Sequence, residues 1–395
     1  MAVSTPITTH YDVGALREQQ FPLTRNTVYF NCAAIAPLPQ RTFDEMRAAD
    51  ERLLLDPSGS FETFFLPRFT NFAEAIRALI NAEDVSEIAG VSSTSMGMNV
   101  AAQALPWQAG QNIILCDMEF PSNVYPWMSL QAQRGVEVRV IPNQDGGLTL
   151  EALEKAVDAN TRLVTASAVQ FFTGHKTDLK AIGAFCHDHN ILFAVDVIQS
   201  AGHLPIDVQA MHIDVLATGG QKSLMGPPGQ GFLYMCKALI EKTRPTMVGG
   251  SSVQDFHHWL KYNLTPADGA ARFQMGTPNL NGMMGLLESI TMLRELGIAA
   301  IDSYTTTLAN FAIDQLKTAG YPVITPDTHG PIVTFRAAET EEANMALMEA
   351  LKAQRIFVTK HWDQQDISHI RLSFHCFNTT EEISHLIDAL AQLRN

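Results

Sequence analysis

The chain has 395 residues, 46% hydrophobic and 17% charged, enough to bury a large core in two or three domains. Its formal net charge of -14, with no Lys/Arg run, argues against nucleic acid and anionic membranes as partners and for solubility. No stretch of about 18 apolar residues occurs, so no bilayer-spanning segment is expected. Residues 1–20 lack the basic-then-apolar order of a signal peptide. The five cysteines are odd in number and form no CxxC pair, which speaks against a disulfide frame or a metal site and fits a reducing cytoplasm.

Along the middle of the chain, short apolar runs alternate with amphipathic stretches. Segments 112–115, 136–141, 162–166, 191–195 and 213–217 read as buried strands, with helical patterns at 122–134, 150–157 and 178–189 between them. This alternation predicts an α/β fold: a mostly parallel sheet with helices on both faces. In such sheets ligands bind at the carboxyl ends of the strands. From about residue 277 the texture changes. A long helical pattern at 282–296 leads to helices near 309–319 and 341–354, strands near 331–335 and 369–373, and a last helix from Glu381. This predicts a smaller α+β domain. The expected division is a large domain at 27–276 and a small one made of 1–26 and 277–395, with no internal repeat or low-complexity tract.

Four places at strand ends carry chemistry. The run 191–195 closes on Asp196, a carboxylate that is costly to bury unpaired; it either caps the next turn or pairs with a positive ring nitrogen. The run 213–217 opens into Thr218-Gly-Gly-Gln-Lys-Ser-Leu-Met-Gly-Pro-Pro-Gly-Gln-Gly231, which re-enters a strand at 232–235. Lysines are usually solvated, but glycines permit close backbone approach to a ligand, and a desolvated lysine such as Lys222 can form a Schiff base. The stretch Gly90-Val-Ser-Ser-Thr-Ser-Met-Gly97 follows a short strand and opens a helix, either as an ordinary Ser/Thr cap or as an anion cradle. Phe120, after the strand at 112–115, is either a core aromatic or a stacking platform for a planar group.

With these residues in hand, the chain resembles the class V aminotransferase family of fold-type-I enzymes dependent on pyridoxal 5′-phosphate (PLP). That family has the aspartate-aminotransferase-like fold and includes cysteine desulfurases, selenocysteine lyases, kynureninases and isopenicillin-N-epimerase-like proteins. The resemblance runs from Tyr29-Phe-Asn-Cys-Ala-Ala34 to Arg371-Leu-Ser-Phe-His-Cys-Phe-Asn-Thr379. Its most specific part is Ala194-Val-Asp-Val-Ile-Gln199, His203-Leu-Pro-Ile-Asp207 and Gly220-Gln-Lys222. The resemblance implies that Lys222 is the Schiff-base lysine and proton shuttle. Asp196 then pairs with the pyridinium nitrogen, and Gln199 lies near the cofactor's phenolic oxygen. Ser93, Thr94 and Ser95 lie at the phosphate. Phe120 stands where desulfurases usually carry a stacked histidine, with Asn123 approaching the phenolic oxygen. Gly276-Thr277-Pro278 matches a segment that reaches the phosphate from a neighbouring subunit, which implies a homodimer with active sites at the interface. Arg371 grips the substrate's α-carboxylate, and Ala34 lies at the substrate.

Departures from the family pattern narrow the chemistry. Gly220-Gln221 replaces the usual Gly-His before the lysine, leaving Thr218 or Gln221 to supply the lost phosphate contact. Segment 357–370 has no cysteine, whereas desulfurases carry a reactive one ahead of the carboxylate arginine. Cys32 and Cys376 read as buried structural thiols. The expected enzyme acts on a small α-amino acid through an external aldimine, with Lys222 removing the Cα proton. Aminotransferase chemistry is the first expectation, with C–S lyase or epimerase chemistry as the alternative. A kynureninase-like hydrolase or a carbon–carbon bond-forming synthase comes after these. So does a non-catalytic sensor, which would need an added DNA-binding domain for which the sequence ahead of residue 28 leaves no room.

Overall fold

The computed structural model describes residues 10–255, 257, 258 and 260–394; residues 1–9, placed above with the small domain, and residue 395 lie outside the described residues. After a short N-terminal helix at Val13–Gln20 come helices α1 (Gln40–Leu55) and α2 (Leu66–Ile80). The alternating part follows: β1 (Ile88–Val91), α3 (Thr94–Ala104), β2 (Asn112–Cys116), α4 (Tyr125–Arg134), β3 (Glu137–Ile141) and α5 (Leu150–Ala156). It continues with β4 (Thr161–Ser167), α6 (Leu179–Asp188), β5 (Leu192–Asp196), β6 (Val215–Gly219) and β7 (Gly231–Met235).

These strands form one sheet in the order β1-β7-β6-β5-β4-β2-β3. β7 runs antiparallel to its neighbours β1 and β6, and the remaining pairs are parallel. Side chains alternate between two cores. Val164, Phe193, Val195, Leu216 and Phe232 share one with Leu286, Ile290 and Leu293. Leu163, Ala194, Val215, Ala217 and Leu233 share the other with Met98 and Ala101 of α3. Every residue of β2, β6 and β7 is buried, which is why they read as continuous apolar runs. Gly97 lets α3 start close to β6: a Cβ there would stand 2.8 Å from the Ala217 Cβ.

Helix α7 (Leu280–Leu296) leads into α8 (Ile298–Thr318) and the smaller C-terminal domain. There β8 (Ile332–Phe335), α9 (Glu341–Ala353), β9 (Thr359–Trp362), β10 (Ser368–Ser373) and α10 (Thr380–Arg394) follow. Its antiparallel sheet has the order β9-β10-β8 and packs Val333, Phe335, Ile370 and Leu372 against Leu308 and Leu386. The N-terminal segment docks here, with the Tyr11 hydroxyl donating to Cys376 O and Arg17 paired with Glu382 at 2.8 Å.

Two elements differ from the sequence expectation. α8 begins at Ile298 rather than near 309, although the run Thr305-Thr306-Thr307 lowers helix propensity. The Thr305 and Thr307 hydroxyls donate back to the Ile301 and Ser303 carbonyls, and Ile301, Thr305 and Leu308 are buried together. Segment 357–370, in which no element was expected ahead of the strand near 369, carries a further strand: β9 pairs with β10 from Thr359↔Arg371 to Trp362↔Ser368.

Candidate active site

Lys222 sits in the connection between β6 and β7, whose ends are clamped by the antiparallel pairs Thr218↔Phe232 and Gly219↔Gly231. The connection is bonded throughout. Gly220 N donates to Gln230 O (2.7 Å), Gly226 N to Gly220 O (2.8 Å) and Met225 N to Lys222 O (3.0 Å). Ser289 Oγ donates to Met225 O and His375 Nε2 to Ser223 O, each at 2.9 Å. Met225 adopts a left-handed backbone with φ 54°, a conformation that neighbouring bonds must hold. Lys222 Nζ lies 5.1 Å from the centre of the Phe120 ring. Burial pulls the ammonium down to about 8, opposed by Asp196 and assisted by Arg371.

Asp196 ends β5, as the apolar run predicted. Its Oδ1 accepts from Ile198 N (2.9 Å), while Oδ2 is buried with no hydrogen-bond partner. Burial pushes the carboxyl up to about 7, with the carboxylate of Glu119 adding to the rise and Lys222 opposing it. An unpartnered carboxylate oxygen in a dry site is costly unless a cation or donor completes it.

Glu119 escaped the sequence reading. It is buried between β2 and β4, where Oε1 accepts from Ser167 N (2.8 Å) and Gln170 Nε2 (2.6 Å), and Oε2 from Ser167 Oγ (2.6 Å) and Asn123 Nδ2 (2.8 Å). Burial raises its carboxyl against these four bonds. Asn123 belongs to this network. Its Oδ1 accepts from Thr165 Oγ1 and Trp127 Nε1, so its carbonyl is spent beneath the site and one Nδ2 hydrogen remains for the phenolic-oxygen role expected of it. Gln170 is fully buried, and its Oε1 has no partner. The signal for Glu119 was an acid flanked by Met118 and Phe120 at the end of an apolar run.

The Ser/Thr segment starts α3. Ser93 caps the helix by accepting from Met96 N at 3.2 Å, which leaves the first-turn N–H groups of Thr94 and Ser95 without intrahelical acceptors. Thr94 Oγ1 accepts from Gly219 N (2.9 Å), fastening this N-terminus to the strand that leads to Lys222. The Thr218 hydroxyl donates to Gly219 O, and Ser95 Oγ donates to Ser122 Oγ. An anion at this helix start would lie beside the lysine connection. Thr277 is exposed and shares with Ser92, Met96 and Gln230 a cleft of about 420 Å³.

The loop at residues 31–36 closes over the other side. Gln199 Nε2 donates to Ala33 O (3.0 Å), and Ala36 N donates to Gln221 O (2.9 Å), leaving Ala34 exposed between the two ties. Arg371 comes from β10. It is 2% exposed, donates Nη1 to Phe171 O (2.7 Å), and has a buried Nε without a partner. Among the described residues no carboxylate lies within 4.0 Å of it. Burial alone pulls this guanidinium down to about 10. A buried cation without an anion is a binding site for one. Cys32 and Cys376 are buried, with burial the main cause holding both thiols well up the pH scale.

An α/β sheet that presents a buried lysine, an unpartnered carboxylate and a free helix N-terminus at adjoining strand ends defines a fold-type-I PLP enzyme. The Asp196 Oδ2 fits the protonated ring nitrogen, and the Thr94 and Ser95 amides fit the phosphate. The chain belongs to the class-V aminotransferase family, whose sequence profile matches residues 28–386. It is 29% identical to a probable cysteine desulfurase of Methanothermobacter thermautotrophicus over 395 residues, covering 95% of this chain and 96% of that one. It is 30% identical to a cysteine desulfurase of Klebsiella pneumoniae over 338 residues, covering 81% and 82%. Among solved structures it resembles a C-DES mutant with glycine covalently linked to the PLP cofactor, with a TM-score of 0.87 at 25% identity over 95% of this chain and 98% of that one. The complex of the cystine C–S lyase C-DES with its product cysteine persulfide gives a TM-score of 0.86 at 25% identity, over 94% and 99%. PLP is the cofactor, and no described helix is long and apolar enough to cross a membrane.

Proposed function

We propose that the chain is a C–S lyase that cleaves a small sulfur-containing amino acid and releases the sulfur on a small product. This reading replaces aminotransferase chemistry as the first choice, because the similar proteins are desulfurases and a C–S lyase. The observation that carries it is Lys222 beside Asp196 and the anion-hungry Arg371, in a site where no thiol is placed to take up sulfur. Segment 357–370, which forms the β9–β10 hairpin, contains no cysteine, and Cys32 and Cys376 are buried and held protonated.

The bound cofactor supplies an electron sink for negative charge at the substrate's Cα. Arg371 fixes the α-carboxylate by a charge-assisted bond. Lys222, deprotonated more readily than a free lysine, removes the Cα proton and holds it for a product. Asp196 keeps the ring nitrogen protonated through Oδ2. Ser93, Thr94, Ser95, Thr218 and Gln221 hold the phosphate end, Phe120 covers the ring, and Gln199 and Asn123 attend its phenolic oxygen. Thr277 would act across a two-fold interface in a homodimer. The proposed division keeps 27–276 as the cofactor-binding part and a cytoplasmic setting. The test incubates the PLP-loaded protein with cysteine and cystine and measures sulfide, persulfide and pyruvate. Mass spectrometry of the protein is run alongside. Sulfur release without a protein-bound persulfide, abolished in Lys222→Ala, is the expected result. Amino transfer to a keto acid without sulfur release would overturn it.

A further inference from the structure

The register of the small sheet brings a second histidine to the site that the reading above does not use. Thr359 pairs with Arg371 and His361 with His369, so alternation puts all four side chains on one face of β9 and β10. That face packs on Phe171 and Phe172 of the large domain. The His361 ring lies 5.5 Å from Phe171 and 6.4 Å from Phe172, both edge-on, and His369 lies 5.6 Å from Phe172. Phe171 in turn sets its ring 5.0 Å from Phe120, the residue under Lys222 Nζ. A chain of ring contacts therefore runs from the lysine to His361.

The two histidines differ in one respect. His369 Nε2 is bonded to Asp363 Oδ2 at 2.9 Å. His361 Nε2 is buried and has no partner. Among the described residues, the other buried ring or guanidinium nitrogens on this face without a partner are His369 Nδ1 and Arg371 Nε; Arg371 is a diagonal neighbour of His361 across the β9–β10 pair, where such positions are roughly 7–8 Å apart. A small amino acid held at Arg371 by its carboxylate would extend its side chain over this gap. Lys222 and Arg371 also face His361, and burial together with their charges pulls its imidazole down to about 3, so the ring is neutral at physiological pH. It can then offer one N–H donor without adding a third positive charge.

We propose that His361 reads the substrate's side chain, donating a hydrogen bond from Nε2 to an acceptor on the β-carbon, which is sulfur in a cysteine-type substrate. The inference rests on the lyase reading for the identity of that acceptor. It makes His361 a specificity residue that distinguishes an amino acid with a polar β-substituent from alanine.

The test uses spectral titration of the PLP-loaded protein with L-serine and L-alanine. The pair differs by one acceptor and requires no turnover. His361→Phe keeps the edge packing on Phe171 and Phe172, and His361→Gln restores a side-chain N–H. Wild type is expected to prefer serine by about fivefold, the range of one neutral hydrogen bond. His361→Phe should lose that preference with alanine binding unchanged, and His361→Gln should recover part of it. Equal weakening of both ligands in His361→Phe, or an unchanged ratio, overturns the proposal. Sulfide release from cysteine is measured on the same samples. Its absence in wild type would sink the lyase reading, while the serine-to-alanine ratio still decides the role of His361.

Discussion

Removing the ionisable group at Asp196 should abolish the loss of stability that this group causes as pH rises in the cofactor-free protein. Its carboxyl is raised from 3.8 to about 7 when folded. Its contribution is therefore full below 3.8 and is lost as pH rises toward 7, because the unfolded chain ionises first. Each unit in that window removes about 1.4 kcal/mol, so wild type should lose about 3 kcal/mol between pH 5 and 7 from this group. Asp196→Asn keeps the oxygen that accepts from Ile198 N. It places an unpartnered NH2 where Oδ2 was, at a cost of about 1–3 kcal/mol that does not vary with pH. Lys222 is mostly charged across the window in wild type; without Asp196 its ammonium falls further, so the folded variant releases that proton before the unfolded chain does and gains stability as pH rises, which widens the gap. The assay is urea denaturation of both proteins, stripped of PLP, at several pH values from 5 to 7.5. The gap between them should change in favour of Asn by about 3 kcal/mol or more from pH 5 to 7. With PLP restored, wild type should gain more stability than the variant. Parallel curves for the stripped proteins would refute the argument that Oδ2 is a buried charge awaiting a partner.

Glu119→Ala leaves four buried donors without their acceptor and should lower unfolding stability by more than about 3 kcal/mol, whereas Glu119→Gln should lose less; equal small losses in denaturant midpoint would count against the network. His203 and His375 are buried with ring centres 3.9 Å apart, and burial pulls His375 down from 6.5 to about 4. The contribution of His375 to stability should therefore be full above pH 6.5 and fall by about 3 kcal/mol as pH drops to 4, a slope that His375→Gln should flatten in denaturant titrations.

The cofactor side of the site was legible because its residues follow fully buried strands. Ile191 to Val195 is an uninterrupted apolar run, and a polar residue that ends such a run stands out. Lys222 stood out among glycines for the same reason. The substrate side hid itself. β9 reads Thr359-Lys-His-Trp362, with no apolar run, because its partner face is made of histidine, threonine and arginine. Arg371 came from resemblance alone, since an arginine ending a strand is usually solvated. Helices α1 and α2 were not read: α1 buries only Thr42 and Ala49, too narrow a stripe to show, whereas α2 buries Phe72, Ala75, Ile76 and Ile80 at helical spacing, a legible pattern that went unused. Glu119 and Gln170 were missed because most of what holds them, Ser167 for Glu119 and Glu119 itself for Gln170, lies far along the chain, and local pattern carries no trace of such partners.

The order in which the site's pieces occur along the chain has a consequence for synthesis. The proposed contacts of one chain with its own cofactor, from Ser93 through Asp196 to Lys222, are encoded before the end of β7 at Met235. The loop at 31–36 is encoded earlier still; Gln199 and Gln221 tie part of it, but its remaining anchors come last. Asn31 bridges to Ser373, Ala33 N donates to Ser373 Oγ (2.8 Å), and Asn378 Nδ2 donates to Tyr29 O (3.0 Å). In a chain that emerges N-terminus first, these early residues wait for almost the whole polypeptide before the last of their ties can form. Their final position records that β10 has arrived with Arg371. The loop beside the site is thus fastened in part by the same strand that brings Arg371, and a chain lacking its last strand would lose that fastening together with the arginine.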